Sequence, residues 1–271
     1  MLGYRHDLED PAILYGMAAP IDGLDWMCQG VTIPNSVSQR DWLRPRNQGD
    51  DPTRSHINSC VGHGAWAAVR ILNHQDGGDN VDPSPLWLYL ASQQQSGYFG
   101  GDHGAAISGA RKALELIGGG VLETDYHYGN RYPAEYPVYW DSVAAKHKVL
   151  QHAIPRNADD VRNWIGTRKG VGLIGVPITT AMRDSSCWSY RETGGGSMLG
   201  MHCMTITGYT TDGRFEGLNS WGEQVHERGF WTCDPDVVQQ WIDMHGAEVV
   251  LLSDIVEWRV REYRSGMLAG R

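Results

Sequence analysis

The tetrapeptide Asn219-Ser220-Trp221-Gly222 is the most informative stretch of this sequence, and it begins 17 residues after His202. A cysteine, Cys60, lies 142 residues before that histidine, and Gln48 lies 12 residues before the cysteine. In chain order these residues supply a side-chain amide, a thiol, an imidazole and a second amide. A cysteine nucleophile that attacks a carbonyl group needs a base, a group that orients the base, and a donor for the oxyanion. The four residues therefore predict acyl chemistry at a thiol.

Further motifs resemble those of the papain family of cysteine peptidases. The separation of Cys60 and His202 falls within the roughly 130–150 residues known for that family. Gly100-Gly101 resembles the family's substrate-binding glycine pair, and Gly229-Phe230-Trp231 resembles the strand that follows its Asn-Ser-Trp motif. The resemblance covers about residues 31–252, which is most of the chain.

The resemblance implies an α+β protein with a papain-like two-lobed fold. A helical N-terminal lobe would span about residues 31–150, and an antiparallel, β-barrel-like lobe about residues 151–254, with the active site in the cleft between them. The two lobes would form the peptidase domain, between an N-terminal segment, 1–30, and a C-terminal tail, 255–271. The tail is rich in arginine, and we predict that it docks to a partner.

The pattern of apolar residues independently predicts helices first and strands afterwards, which is typical of an α+β protein. Helices are predicted over about 60–73, from Pro85, over 105–117 and over 157–168. Strands are predicted over 171–176, 201–209, 215–219, 229–233 and 247–252. Residues 185–200 contain four glycines and are predicted to form a mobile loop before His202.

The resemblance assigns a role to each of the four chemical residues. Cys60 would be the nucleophile, and both the start of a helix and a neighbouring imidazolium would favour its thiolate form. His202 would accept the thiol proton and later deliver it to the leaving amine, while Asn219 would fix the imidazole ring. Gln48 would donate to the oxyanion beside the backbone N–H of Cys60. At the first turn of its helix, the cysteine is expected to face solvent.

The predicted substrate-binding residues are Gly100, Gly101, Met201 and Trp221. A loop rich in glycine lets backbone approach a ligand closely, and a methionine beside the catalytic histidine predicts an apolar wall. Trp221 is also expected to shield the imidazole–amide bond from water. Val61 and Val225 stand where the family has aromatic residues, so the cleft is expected to differ in shape.

Composition excludes several other classes of protein. The 271 residues, 41% of them hydrophobic, suffice for one large domain or two lobes, and the net charge of −9 offers no basic stripe for nucleic acid. No apolar run approaches the roughly 18 residues of a membrane span, and residues 1–10 lack the apolar core of a signal peptide. We therefore predict no nucleic-acid partner, no membrane contact, and a cytoplasmic or virion-associated location. The five cysteines are an odd number, and Ile57 replaces the family's cysteine near the nucleophile, which favours folding without disulfides.

Several functions remain open from the sequence. The first is an endopeptidase that acts on a peptide or protein through an acyl-enzyme, without a cofactor or metal. The same residues would serve a cell-wall or isopeptide amidase, a deamidase or a transacylase, and a structural or binding protein could retain the site without turnover. A zinc site formed by Cys60, His63, His202 and Cys203 is disfavoured, because His202 and Cys203 would face opposite sides of a strand. About 30 residues before the domain are too few for the family's inhibitory prodomain, so either the activity is unrestrained or something else restrains it. One hypothesis is that this segment, or the insertion at 50–58 that makes the gap between Gln48 and Cys60 longer than in the family, occupies the cleft.

Overall fold

The computed structural model describes residues 32–49, 57–78, 80–129, 132–145, 147–168, 170–244 and 247–255. The predictions for the N-terminal segment, for residues 50–56 of the insertion and for residues 256–271 of the tail lie outside the described residues. The α-helices are α1 (Cys60–Gln75), α2 (Pro85–Ser96), α3 (Ile107–Leu116), α4 (Asp141–Ala144), α5 (Ala158–Arg168), α6 (Thr180–Arg183), α7 (Tyr190–Thr193) and α8 (Pro235–Asp243). The strands are β1 (Val149–Ala153), β2 (Val171–Thr179), β3 (Cys187–Trp188), β4 (Met198–Tyr209), β5 (Phe215–Leu218), β6 (Phe230–Cys233) and β7 (Glu248–Ile255).

Local sequence signals account for the two long helices of the N-terminal half. Helix α1 follows Ser59 and is buried along most of its length, as its run of alanine, valine, isoleucine and leucine predicts. Helix α2 begins where Ser84 Oγ accepts a hydrogen bond from the N–H of Trp87 at 3.1 Å, with Pro85 as its first residue. It ends at Gly97, whose φ of +72° is a left-handed conformation that glycine adopts without strain.

The strands form one sheet in the order β1-β7-β2-β4-β5-β6-β3. All neighbouring strands are antiparallel except β3 and β6, which are parallel. The α+β class and the order of helices before strands are confirmed. In the described residues the sheet is open, with β1 and β3 as its edges, so the barrel-like lobe predicted above is an open sheet. Strand β4, which carries His202, lies at its centre between β2 and β5.

The segment predicted to be a loop before His202 instead contains regular structure. Strand β3, helix α7 and the beginning of β4 all fall within residues 185–200. Helix α7 has a capping box, in which the side chain of Ser189 caps the helix and Glu192 accepts from the backbone N–H of Ser189 at 2.8 Å. Four glycines in one segment suggested a loop, but paired capping and the pairing of β3 with β6 stabilise these short elements.

Close packing of α1 between α2 and the sheet fixes the position of Cys60. A Cβ atom at Gly62 would lie only 2.3 Å from the carbonyl oxygen of Pro85 in α2. One at Gly64 would lie 3.0 Å from Sγ of Cys203 in β4. The two glycines therefore allow α1 to approach both neighbours more closely than alanine would allow. Within the described part of the chain, no helix is long and apolar enough to cross a membrane.

Candidate active site

Cys60 is the first residue of α1, and its side chain is buried. Its Sγ accepts a hydrogen bond from the backbone N–H of Cys203 at 3.4 Å, so the thiol lies against the residue that follows His202 in β4. The expectation that this cysteine faces solvent is wrong, because β4 crosses the start of the helix and covers it. Ser59 occupies the N-cap position of α1, but its side chain does not cap the helix.

The imidazole of His202 is hydrogen-bonded to Asn219 and stacked against Trp221. Its Nε2 lies 2.8 Å from Oδ1 of Asn219, and the same oxygen accepts from the backbone N–H of Ser220 at 2.7 Å. His202 and Asn219 are both buried. The indole of Trp221 stacks on the imidazole with ring centroids 4.7 Å apart and an interplanar angle of 24°. The two residues predicted to act as base and orienting amide are thus bonded to each other and covered by the predicted tryptophan.

Gln48 is held between the Asn-Ser-Trp segment and the chain that leads into α1. Its backbone N–H donates to the carbonyl of Ser220 at 2.8 Å, and its Oε1 accepts from Ser220 Oγ at 2.7 Å. Its Nε2 donates to the carbonyl of Ile57, three residues before Cys60, at 3.3 Å. The N–H of Ile57 in turn donates to the carbonyl of Gln48 at 3.4 Å. The two ends of the insertion therefore lie side by side, and the side chain of Gln48 points towards the start of α1 despite the long gap.

A second chain of hydrogen bonds ends at the backbone carbonyl of Gln48. His63 Nδ1 lies 3.1 Å from the carbonyl of Ser59, Ser59 Oγ lies 2.6 Å from the hydroxyl of Tyr128, and that hydroxyl donates to the carbonyl of Gln48 at 2.8 Å. Burial lowers the pKa of His63 to about 3, so its ring is neutral at ordinary pH. A carbonyl only accepts, which makes Nδ1 the protonated nitrogen. His63 therefore supports the start of α1 through Ser59 and packs against the ring of Tyr128.

The glycine pair predicted to bind substrate is bonded within the chain. The N–H groups of Gly100 and Gly101 both donate to the hydroxyl of Tyr132 at 3.2 Å. The carbonyl of Gly101 accepts from Nε2 of Gln93 at 2.9 Å. The backbone of Gly101 is therefore ordered by partners on α2 and by Tyr132.

Asp102, which follows the glycine pair, ties this loop to the chain that leads into α1. Its carboxylate accepts from the backbone N–H of Asn58 at 3.0 Å and from the hydroxyl of Tyr89 at 2.8 Å. Met201, the last of the predicted substrate-binding residues, is half-buried and packs against the main hydrophobic core. The glycine loop and the start of α1 are thus linked directly through Asp102.

Sequence reasoning missed His226, which contacts the side-chain amide of Asn219. Its Nε2 lies 2.9 Å from Nδ2 of Asn219, on the side of the amide opposite to His202. It lies in the loop between β5 and β6, where its backbone has a φ of +56°. Its proximity in sequence to Asn219 was the one available signal, because eleven histidines make any single one unremarkable.

The described residues contain no cluster of three or more His, Cys, Asp or Glu side chains suited to a metal ion. In the alternative zinc set, His63 is directed at Ser59 and His202 at Asn219. Burial raises the pKa of Cys203 above its ordinary value, which disfavours the thiolate that zinc requires.

The fold is shared with solved cysteine proteases. Xylellain, a cysteine protease from Xylella fastidiosa, superimposes with a TM-score of 0.73 at 18% identity, over 94% of this chain and 96% of that one. Procathepsin B S9 from Trypanosoma congolense gives a TM-score of 0.63 at 12% identity, over 84% and 80% of the two chains. The bromelain protease of Ananas comosus gives 0.59 at 17% identity, over 82% and 99%. No protein-family model and no curated protein sequence matches the chain. The papain-like two-lobed fold predicted from the sequence is confirmed.

Proposed function

We propose that this protein is a cysteine peptidase that hydrolyses peptide bonds through an acyl-enzyme on Cys60. One observation carries the proposal: the Sγ of Cys60 is hydrogen-bonded to the residue next to His202, while Nε2 of His202 is bonded to Asn219. The thiol therefore lies against the strand segment that carries the imidazole, and the imidazole is hydrogen-bonded to the amide. Likeness of fold to known proteases agrees with this function, but the proposal rests on the arrangement of side chains.

The bond to Asn219 selects which nitrogen of His202 performs proton transfer. Nε2 donates to Oδ1 of Asn219, so Nδ1 is the nitrogen that would exchange a proton with Cys60. Transfer of the thiol proton to Nδ1 gives a thiolate and an imidazolium. The helix start carries a partial positive charge, and the N–H of Cys203 donates to Sγ, so both would stabilise the thiolate.

The positions of these groups suit the attack of the thiolate on a peptide bond and the breakdown of the tetrahedral intermediate. The thiolate attacks the peptide carbonyl carbon, and the carbonyl oxygen becomes an oxyanion beside the backbone N–H of Cys60 and the Nε2 of Gln48. As the C–N bond breaks, His202 gives its proton to the leaving amine. A water molecule then attacks the thioester, His202 takes the proton of that water, and the acid product leaves as the thiol is restored.

The substrate would be a peptide or protein segment that lies in the cleft along Gly100, Gly101, Met201 and Trp221. Peptide pairing with the N–H of Gly101 would replace its hydrogen bond to the hydroxyl of Tyr132. Exchanging one hydrogen bond for another of the same kind has little net cost. We assign this activity to a domain that spans residues 31–254.

The test is cleavage of a defined peptide library under reducing conditions, with products identified by mass spectrometry. Three proteins are compared: the natural chain, Cys60→Ser, and Cys187→Ser as a control at a half-buried cysteine that forms no disulfide. We expect new carboxyl termini from the natural chain and the control, and none from Cys60→Ser. Equal cleavage by Cys60→Ser would refute the role of this thiol. If only side-chain amides or cell-wall peptides react, the acyl chemistry stands and the peptide-bond assignment fails.

A further inference from the structure

The side-chain amide of Asn219 is hydrogen-bonded at both ends. Its Oδ1 faces Nε2 of His202 and the N–H of Ser220, and its Nδ2 lies 2.9 Å from Nε2 of His226. The other ring nitrogen of His226, Nδ1, lies 2.9 Å from the carbonyl oxygen of Ser185. Because a carbonyl only accepts, Nδ1 of His226 carries a hydrogen, and Nε2 of the neutral ring is an acceptor. The four groups thus have one consistent pattern of donors and acceptors.

We propose that His226 is a positioning residue, which holds the Asn219 amide in the orientation that presents Oδ1 to His202. The inference deepens the proposed function and rests on it. An asparagine amide has almost the same shape when its oxygen and nitrogen are exchanged, so its orientation depends on the partners at its two ends. His226 supplies an acceptor that only Nδ2 can satisfy.

The orientation matters because it decides whether His202 can be charged. An imidazolium has a hydrogen on both ring nitrogens, so Nε2 needs an acceptor opposite it. With the amide reversed, Nδ2 of Asn219 would face Nε2 of His202, and two donors would oppose each other. That arrangement would disfavour the imidazolium and, through it, the thiolate of Cys60. The N–H of Ser220 also favours the observed orientation of the amide. Loss of His226 should therefore weaken the thiolate–imidazolium pair of Cys60 and His202 without abolishing it.

The fold holds the His226 ring in place at a conformational cost. The backbone of this residue has a φ of +56°, a left-handed conformation that residues other than glycine adopt rarely and that accumulates at functional sites. Trp188 meets the ring edge-on, with centroids 5.4 Å apart and an angle of 82°. Trp221, which also stacks on His202, lies 5.8 Å away at 31°. One tryptophan therefore contacts both imidazole rings, with the Asn219 amide between them.

The surroundings of His226 also favour the neutral ring that the role requires. Burial lowers the pKa of His226 below its ordinary value, while the hydrogen bond to Ser185 opposes this shift. Glu227 and Arg228, which follow His226, are exposed, and Glu227 pairs with Arg40. Asp184, which precedes the hydrogen-bond partner Ser185, is also exposed. Among the described residues, desolvation is thus the cause of the lowered pKa. The neutral ring keeps Nε2 available as an acceptor for Asn219.

Three variants separate positioning from mere structural support. His226→Gln keeps a terminal amide that can accept from Asn219, and His226→Leu has similar size but no acceptor. Arg228→Ala is the matched control, because Arg228 lies in the same loop with a similar φ of +55°. The measurements are kcat and KM for a cleaved peptide over a range of pH, the rate of Cys60 alkylation by iodoacetamide over the same range, and the thermal unfolding temperature.

For His226→Leu we expect kcat/KM to fall about tenfold at neutral pH, mostly through kcat, since one orienting hydrogen bond is lost. The pH at which alkylation sets in should rise, because the thiol of Cys60 would ionise only at higher pH. The upper pH limit of peptide hydrolysis should fall, because the imidazolium of His202 would lose its proton at lower pH. His226→Gln should recover most of the rate, and Arg228→Ala should match the natural chain.

A pH profile of His226→Leu that matches the natural chain would overturn the inference. So would equal losses in the Gln and Leu variants together with equal falls in unfolding temperature, which would indicate structural support alone. If the natural chain cuts no peptide, the proposed function fails, yet the alkylation profiles still decide whether His226 controls the thiol–imidazole pair.

Discussion

Gln48→Ala tests the predicted oxyanion site most sharply, because the side chain is buried and makes two assigned hydrogen bonds. The substitution removes the Nε2 donor beside the start of α1 and leaves Ser220 Oγ without its acceptor, Oε1 of Gln48. If the amide donates to the oxyanion in the transition state, its loss raises the barrier to attack. It should not change how readily Cys60 forms a thiolate.

The expected magnitude has two parts. Loss of one oxyanion donor costs about 10²–10³ in kcat, or about 3–4 kcal/mol. Loss of the hydrogen bond to Ser220 costs about 1 kcal/mol, because this bond stabilises the fold and orients the side chain of Gln48. Ser220→Ala removes that second bond while it leaves the Nε2 donor in place, so this variant should lose about tenfold or less. The difference between the two variants isolates the donor.

The assay compares peptide hydrolysis with alkylation of Cys60 by iodoacetamide. Alkylation consumes a thiolate but forms no oxyanion, so Gln48→Ala should lose kcat and retain its alkylation rate. Thermal unfolding reports any loss of stability separately. A Gln48→Ala variant whose alkylation falls as far as its kcat, or whose kcat falls no further than that of Ser220→Ala, would refute the assigned role of Gln48.

Three further predictions concern packing, protonation and thiol reactivity. Gly62→Ala should destabilise the fold by about 1–3 kcal/mol in thermal unfolding, because its Cβ would lie 2.3 Å from a backbone oxygen. Gly194→Ala is the control and should change the unfolding temperature little, because the nearest atom would be 3.2 Å away. The pKa of His63 is about 3 in the folded protein, so below pH 6.5 the unfolded chain binds more protons than the folded chain. The free energy of unfolding should therefore decrease as pH falls, with a slope of up to about 1.4 kcal/mol per pH unit. In denaturant titrations, His63→Asn should flatten that slope. Cys203 and Cys233, whose pKa values burial raises, should stay unlabelled by iodoacetamide in the folded protein, and labelling of either at the rate of Cys60 would contradict their raised pKa values.

The sequence predicted the elements whose signals are local. Helix α2 follows a serine cap and a proline, and α1 and α5 follow apolar periodicity, so their starts were predicted to within one or two residues. The strands β2, β4, β5, β6 and β7 were also predicted, with ends that differ by a few residues. Strand β1 and helix α8 were missed. Strand β1 is an edge strand that is stabilised by pairing with β7, a contact distant in sequence.

In the site, too, local sequence signals were predictable and contacts between distant segments were not. The four chemical residues stand in recognisable motifs, and in the structure each is hydrogen-bonded to another of the four or to a residue next to one. The burial of Cys60 depends on β4 crossing the start of α1, and the contact between Asn219 and His226 depends on the turn of a loop. Neither follows from periodicity or spacing, because each arises from tertiary packing. The same is true of Tyr132, which contacts the glycine pair from a segment more than 30 residues away.

The proposed mechanism requires that Cys60 and His202 form a thiolate–imidazolium pair. Its most direct test is the rate of Cys60 alkylation by iodoacetamide as a function of pH, read residue by residue with mass spectrometry, in the natural chain and in His202→Ala. An ordinary thiol ionises with a pKa of about 8.5 and reacts slowly below neutrality. We predict that Cys60 of the natural chain stays reactive well below pH 7 and that His202→Ala shifts its profile towards that of an ordinary thiol. A natural chain whose Cys60 reacts only as an ordinary thiol, or whose profile is unchanged in His202→Ala, would contradict the account.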